Sequence, residues 1–550
     1  MSHAPERRGR LEHTGTYLLP PGFRGRIIHR EAARWCSSSD QGLLYCMRSA
    51  YNAKYFVYIN VTQHRALRSS KEVGRHFIMK IAGLLTNGGD TCSLNALLRY
   101  SRDALRDEGF TKIYGFEGGY RGLITDTCRD ITSAHIDPSS GGTILLSLRD
   151  SPTPSPRDEA RMDKLSQGDL AEKEQAKYLK ALWDRKLKGA LNTLRERHID
   201  VLVVLGGNGT IAATAAFAEE ISADANTKCN IICLPRTIDN DVNTCTQHVF
   251  DGQIIQTALC PGYPSAAEKV VRAAISLRTT ATSTKRIFTL ETMGREAGWL
   301  ALAATLGWAE VVTVPEVNLV SDPEKNEENK EQLKLKEDLP EEEADRLCEI
   351  VVEWYKRCAN NVIVGVSEGT LKDCEPITSP VTKELFGERK LGGAGDEVAR
   401  MLKDYIEREG VLEREDRPNV KNGERYPIIE RPEVRCQHTD YDPRMGKPSI
   451  YDVELAKVLA YQKLRLMLQD GEFGRMPVLG RVVGEEELRE RGVELAKAMD
   501  IKKVGQMLLP VEPYYDRERF TSTKAFDDFL YKMVGDVPLR SEQVTQLESL

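Results

Sequence analysis

The chain has 550 residues, 41% of them hydrophobic and 29% charged, which suits a globular protein with room for about two to four cores. Its 77 basic and 83 acidic residues leave a net charge of −6, so no overall field draws it to nucleic acid or a membrane surface; an anionic ligand must be held by local basic groups. Twelve Cys without a C-x-x-C pair and nine His without an H-x-x-x-H pair suit a reducing compartment, and no apolar run approaches the length that spans a bilayer.

Residues 1–75 show no clear period and read as an N-terminal extension. Their first 50 positions carry eight Arg, no Lys and four acidic residues, mildly like a mitochondrial presequence. Glu6, Glu12 and Glu31, with no clean amphipathic repeat, favour an extension of a cytoplasmic protein. An apolar strand is expected over Phe77–Leu85, running into Asn87-Gly88-Gly89-Asp90 and then a helix from Asn95. Residues 139–149 read as a tight turn and short strand, and Ser151–Pro156 as loop. Leu179, Leu182, Leu187, Leu191 and Leu194 mark a helix. The strand Val201–Leu205 breaks at Gly206-Gly207-Asn208-Gly209-Thr210 and enters an Ala-rich helix over 211–221.

Further strands are expected at Cys229–Leu234, before Pro235-Arg236-Thr237-Ile238-Asp239-Asn240-Asp241, at Arg286–Leu290, before Met293-Gly294-Arg295, and at Asn361–Val366, before Ser367-Glu368-Gly369. Cys229 and Cys233 lie inside the first of these runs, as buried strand residues rather than a metal knuckle. Continuous apolar strands alternating with helices predict an α/β fold with parallel sheets covered on both faces. Ligands in such folds bind beyond the carboxyl ends of strands, where every motif above falls. Residues 321–346 are dense in Glu and Lys and read as a solvated helix or surface insertion; residues 409–432 read as loop-rich.

The glycine-rich strand–helix turns at Gly88-Gly89 and Gly206–Gly209 are phosphate cradles in principle, because backbone N–H groups and a helix N-terminus can face an anion. Either alone reads as an ordinary strand–helix turn. Thr237-Ile238-Asp239-Asn240-Asp241 sets two carboxylates two residues apart after a buried strand, where one can act as general base while the other orients it or a metal. Taken alone, that segment reads as an Asx-rich turn.

The order of the motifs narrows these choices. Gly-Gly-Asp, Gly-Gly-Thr…Arg, Gly-Gly-x-Gly-Thr, Pro-x-Thr-Ile-Asp-Asn-Asp, Met-Gly-Arg-x-Ala-Gly and Ser-Glu-Gly occur in the sequence of the 6-phosphofructokinases, a resemblance covering about residues 77–510. Cys260–Tyr263, Ala281–Lys285, Leu290–Trp299 and Leu391-Gly392-Gly393 most resemble the pyrophosphate-dependent branch. The resemblance implies two doubly wound Rossmann-like domains with the active site in the cleft. Residues 76–262 and 443–495 would bind the phosphoryl donor, residues 263–442 and 496–525 the sugar phosphate, with a tail over 526–550.

By position, the resemblance makes Asp239 the base for the 1-hydroxyl of fructose 6-phosphate, with Thr237 and Asp241 positioning it. Gly88 and Arg149 would contact the donor, and Gly207, Asn208, Gly209 and Arg236 complete the donor side. Met293, Gly294, Arg295 and Glu368 would hold the fructose ring. Arg286, Arg435 and Arg444 would clamp the 6-phosphate with Tyr441 beside them, some Arg coming from a neighbouring subunit of a homo-oligomer. Mg²⁺ is the implied cofactor.

Several positions depart from the pattern. Asn208 replaces the Asp that supports magnesium. Gly209 leaves open the space that a second Asp fills in pyrophosphate enzymes, as in ATP enzymes, whereas Arg236 stands where pyrophosphate enzymes have Lys. Cys92-Ser93 replaces Pro-Gly, Leu146 and Leu148 replace small residues, and Tyr441 replaces His. The expectation is a phosphofructokinase using pyrophosphate, or alternatively ATP. The other reading is a catalytically weakened relative serving as a regulatory or structural subunit.

Overall fold

A computed structural model of the chain describes residues 79–242, 260–316, 341–371 apart from 359, 393–412, 431–478 and 519–522, with the backbone of short strands elsewhere. The expected extension over 1–75, the tail over 526–550 and the charged stretch up to residue 340 lie outside the described residues.

Two sheets organise these residues. The first has seven strands, in the order Lys497–Asp500, Arg475–Val478, Asn230–Pro235, Val201–Gly206, Lys80–Thr86, Phe110–Phe116 and Cys128–Asp130. Its inner strands are parallel and its two edge strands antiparallel. Successive residues of one strand enter different cores: Ile81 and Leu85 pack with Leu202, Val204 and Phe217, while Ala82 and Leu84 pack with Val203, Leu205 and Leu97. Helices cover both faces, which is why these strands are apolar throughout rather than alternating.

The second sheet has four parallel strands, in the order Val434–His438, Ile287–Thr292, Val362–Ser367 and Val311–Thr313. The helices Tyr263–Thr284, Glu341–Arg357 and Ala394–Glu409 contribute Val270, Val351 and Leu402 to its core. The fold is α/β and doubly wound, as expected.

Three local readings change. Residues 139–149 form no strand; a lone bridge pairs Leu148 with Asn87. A helix at Pro156–Gln167 follows the Pro-rich loop, started by Ser155, whose hydroxyl accepts from the Asp158 N–H in a capping box. The strand Lys497–Asp500 joins the first sheet, although the sequence division assigned residue 496 onward to the other domain. Among the described residues, no helix is long and apolar enough to cross a membrane.

Candidate active site

The strand Lys80–Thr86 ends in Asn87-Gly88-Gly89. Gly88 holds φ +104°, a left-handed conformation that glycine adopts without strain. A side chain at Gly88 would meet Arg236 Nη2 at 3.2 Å; one at Gly89 would meet Arg444 Nη1 at 2.9 Å and Arg149 Nη2 at 3.6 Å. Three guanidinium groups from distant parts of the chain therefore converge on two glycines. Arg444 Nη1 donates to the Asp90 carbonyl at 3.1 Å. Arg236 Nη2 donates to the Asn87 carbonyl at 2.7 Å, while its Nε is buried with no partner. Burial, then the like charge of Arg444, pushes Arg236 down to about 9, so it stays cationic at neutral pH.

The second cradle follows the strand Val201–Gly206. Gly207 is the N-cap of the helix Asn208–Ala223, so the helix's open N–H groups lie at Asn208, Gly209 and Thr210. A Cβ at Gly209 would meet nothing within 4 Å, so the space that the sequence suggested is open. Thr210 ties the cradles together: its hydroxyl donates to the Asn87 carbonyl at 3.1 Å and accepts from Asn87 Nδ2 at 3.1 Å.

The carboxylates lie beyond the next strand, Asn230–Pro235. Thr237 Oγ1 accepts from the Asp239 N–H at 3.0 Å and donates to Asp241 Oδ1 at 2.9 Å. Asn208 Nδ2 donates to both the carbonyl and Oδ2 of Asp241, at 2.9 and 2.7 Å. That pairing uses the amide nitrogen and leaves Asn208 Oδ1 buried with no partner; Asp239 Oδ1 is also buried and unpartnered. Burial, then the Asp239 charge, pushes Asp241 up to about 7.

The unpartnered amide oxygen of Asn208 and the neighbouring Asp241 carboxylate are all-oxygen donors, which suit magnesium and offer nothing to a soft ion. Asn208 and Asp241 are thus the residues that would hold Mg²⁺, which leaves Asp239 Oδ1 open.

The second sheet supplies the facing loops. Gly294, at φ +133°, donates its N–H to Glu368 Oε1 at 3.3 Å, and the Ser367 hydroxyl donates to the Gly294 carbonyl at 2.5 Å. Burial, then the Asp239 charge, pushes Glu368 up to about 7, while Arg295 and Arg444 act the other way. Met293, Gly294, Arg295 and Glu368 therefore gather beyond the carboxyl ends of adjacent strands, within electrostatic reach of Asp239.

The sequence profile of the phosphofructokinases matches residues 81–467, most of the chain. This chain belongs to the phosphofructokinase family. The ATP-dependent 6-phosphofructokinase 2 of Clostridium perfringens is 30% identical to it over 420 residues, 75% of this chain and 91% of that protein. The pyrophosphate–fructose 6-phosphate 1-phosphotransferase of Amycolatopsis methanolica is 28% identical over 422 residues, 75% of this chain and 94% of that one. Among solved structures, a pyrophosphate-dependent phosphofructokinase from Marinobacter aquaeolei aligns at a TM-score of 0.56 and 16% identity, over 84% of this chain and 93% of that chain. At that identity the likeness bears on the fold.

Against the phosphofructokinase pattern, the expected three-Arg clamp is not formed within one chain. Arg286 and Arg435 both pair with Glu433, at the amino ends of their strands. Arg444 lies on the 3₁₀ turn Asp442–Arg444 past the opposite, carboxyl end, against Gly89. A strand's length separates the two ends, so these Arg cannot share an anion in one copy. Tyr441 sits on the same turn as Arg444, 61% exposed.

The Cys92 departure is absorbed by packing. Its buried thiol donates to the Met445 carbonyl at 2.9 Å and so braces the Arg444 turn. Asn87, Ser147 and Thr210 are the site residues that sequence reasoning left out. Thr210 was signalled by its place in the second glycine motif, but nothing local marked Ser147, whose hydroxyl donates to the Gly88 carbonyl at 3.0 Å.

Proposed function

We propose that this chain is a phosphofructokinase, transferring a phosphoryl group to the 1-hydroxyl of fructose 6-phosphate, with pyrophosphate as donor. The observation that carries the reading is the convergence of Arg149, Arg236 and Arg444 on Gly88-Gly89, beside the unpartnered oxygen of Asp239. Converging cations, the buried Arg236 among them, stabilise charge spread over transferring phosphoryl oxygens, and an acceptor oxygen with no internal partner is free to take a hydroxyl proton.

In this reading Asp239 Oδ1 accepts the proton of the 1-hydroxyl as its oxygen attacks phosphorus. Thr237 fixes the backbone of Asp239 and, through its hydroxyl, Asp241. Arg236, Arg149 and Arg444 neutralise the phosphoryl oxygens in flight, and the open N–H groups at Asn208–Thr210 face the group that leaves. Met293, Gly294, Arg295 and Glu368 orient the ring. Magnesium, when bound, neutralises phosphate charge and helps align the donor.

Arg286 and Arg435 fit a clamp on the sugar 6-phosphate of another copy, which makes the working form a homo-oligomer; in it Glu433 gives way to the phosphate. Soluble substrates, together with the extension reading of residues 1–75, favour the cytoplasm.

ATP is the second reading, favoured by the open space at Gly209 and by the ATP-dependent relative from Clostridium perfringens. The weakened-subunit alternative is less well supported, because Asn208 keeps its oxygen available and Asp239 and Asp241 keep their network.

The test is turnover of fructose 6-phosphate with Mg²⁺ and each donor separately. Faster fructose 1,6-bisphosphate formation from pyrophosphate supports the proposal, and faster formation from ATP reverses the donor. Folded protein that binds the sugar phosphate and turns over neither donor overturns the enzyme reading.

A further inference from the structure

Three ligating side chains gather on the second sheet outside the phosphoryl-transfer site. Cys436 and His438 lie two residues apart on the edge strand Val434–His438 and so share a face. Glu291, on the neighbouring strand, is the register partner of His438. One donor atom from each of Glu291, Cys436 and His438 lies within 4.8 Å of the others. A fourth residue, Asp396, comes from the first turn of the helix Ala394–Glu409. His438 Nε2 is 3.1 Å from Asp396 Oδ2, and Nδ1 is 3.6 Å from Glu291 Oε1.

The arrangement is held from behind. The N–H groups of Gly393 and Gly395 donate to Glu291 Oε1 and Oε2, at 3.1 and 2.6 Å, fixing the carboxylate while leaving lone pairs to spare. Gly395 permits the close approach: a Cβ there would meet both Cys436 Sγ and Glu291 Cβ at 2.8 Å.

We propose that Cys436 Sγ, His438 Nδ1 and the Glu291 carboxylate bind a divalent ion of the zinc class, at a site separate from the magnesium residues. Sulfur, imidazole nitrogen and carboxylate oxygen together select a borderline ion, whereas magnesium prefers oxygen alone. Asp396 is the outer carboxylate that holds the His438 tautomer. Three protein ligands leave one position for water or another small ligand.

Ligation through sulfur releases the thiol proton, so the ion's affinity falls as pH falls. The ion pins together the strands that lead into Met293-Gly294-Arg295 and into Tyr441–Arg444. These strands already meet where the N–H and hydroxyl of Thr439 donate to the Glu291 carbonyl at 2.9 and 3.1 Å. The competing explanation is His438 held between the Glu291 and Asp396 carboxylates with no metal.

The test uses the full chain, stripped by a chelator and titrated with Co²⁺ as a spectroscopic stand-in. One bound equivalent with a thiolate-to-cobalt charge-transfer band, displaced by Zn²⁺ and unmoved by excess Mg²⁺, is the expected result. Cys436→Ser removes the band. Asp396→Asn keeps the band but weakens Co²⁺ binding about 10–100-fold. Cys348→Ser, a buried thiol elsewhere, changes nothing. Thermal unfolding checks that each variant is folded. Folded wild-type protein that shows no such band overturns the site, as does a band that survives in folded Cys436→Ser.

Discussion

Asn208 illustrates how one residue can mislead when read from identity alone. Its lost charge suggests a damaged metal site, yet the amide nitrogen is spent on Asp241 and the oxygen keeps no partner, free to ligate. Asn208→Asp would set a second carboxylate against Asp241 Oδ2, replacing a 2.7 Å hydrogen bond with repulsion. Without magnesium that variant is expected to lose about 1–3 kcal/mol of stability, with the loss recovered on adding Mg²⁺; thermal unfolding with and without the ion measures both.

The raised carboxyls give a second outcome at this scale. Asp241 and Glu368 are both pushed up to about 7, so each holds its proton well above the usual carboxylate range. The sign is that the free enzyme with both groups ionised, Asp241 for the metal and Glu368 for the sugar ring, is lost as pH falls through 7. The kcat/KM for fructose 6-phosphate is therefore expected to fall on the acid side of about pH 7; a flat profile down to pH 5 would contradict that assignment.

At the scale of elements, the strands legible in the sequence were those with unbroken apolar runs ending in glycine or Asx motifs, such as Val201–Gly206 and Val362–Ser367. Burial on both faces wrote the pattern into every residue. The strand Phe110–Phe116, with exposed Thr111 and half-buried Lys112 and Tyr114, was missed because it lies near an edge and lacks that signal. Residues 143–149 sounded like a strand by composition but sit as a loop, with Leu146 exposed at φ +59°.

Spacing of C-x-x-C type also failed to reveal the Glu291–Cys436–His438 group, because its members meet through sheet register rather than along the chain. The glycine-rich turn gives the test here. Gly88→Ala adds a side chain at φ +104° and pushes on Arg236, so the KM for the donor should rise about tenfold or more, with KM for fructose 6-phosphate little changed.

At the scale of the molecule, the ordered motifs made the family and the doubly wound fold readable, while the distribution of Arg residues was not. Sequence places Arg435 and Arg444 nine positions apart, and only the strand between them shows that they occupy opposite ends of a sheet. If the site is shared between copies, a mixture of Arg435→Ala and Asp239→Ala subunits, dissociated and reassembled, should regain activity that neither variant has alone. No recovery in mixed oligomers would place the clamp elsewhere.

The most direct measurement for the whole scheme is the rate of fructose 1,6-bisphosphate formation by the wild-type chain and by Asp239→Ala, with Mg²⁺ and saturating pyrophosphate or ATP. Loss of about 10²–10⁴-fold in kcat, with fold and fructose 6-phosphate binding retained, is expected for the base. Asp239→Ala protein that keeps wild-type turnover would contradict it.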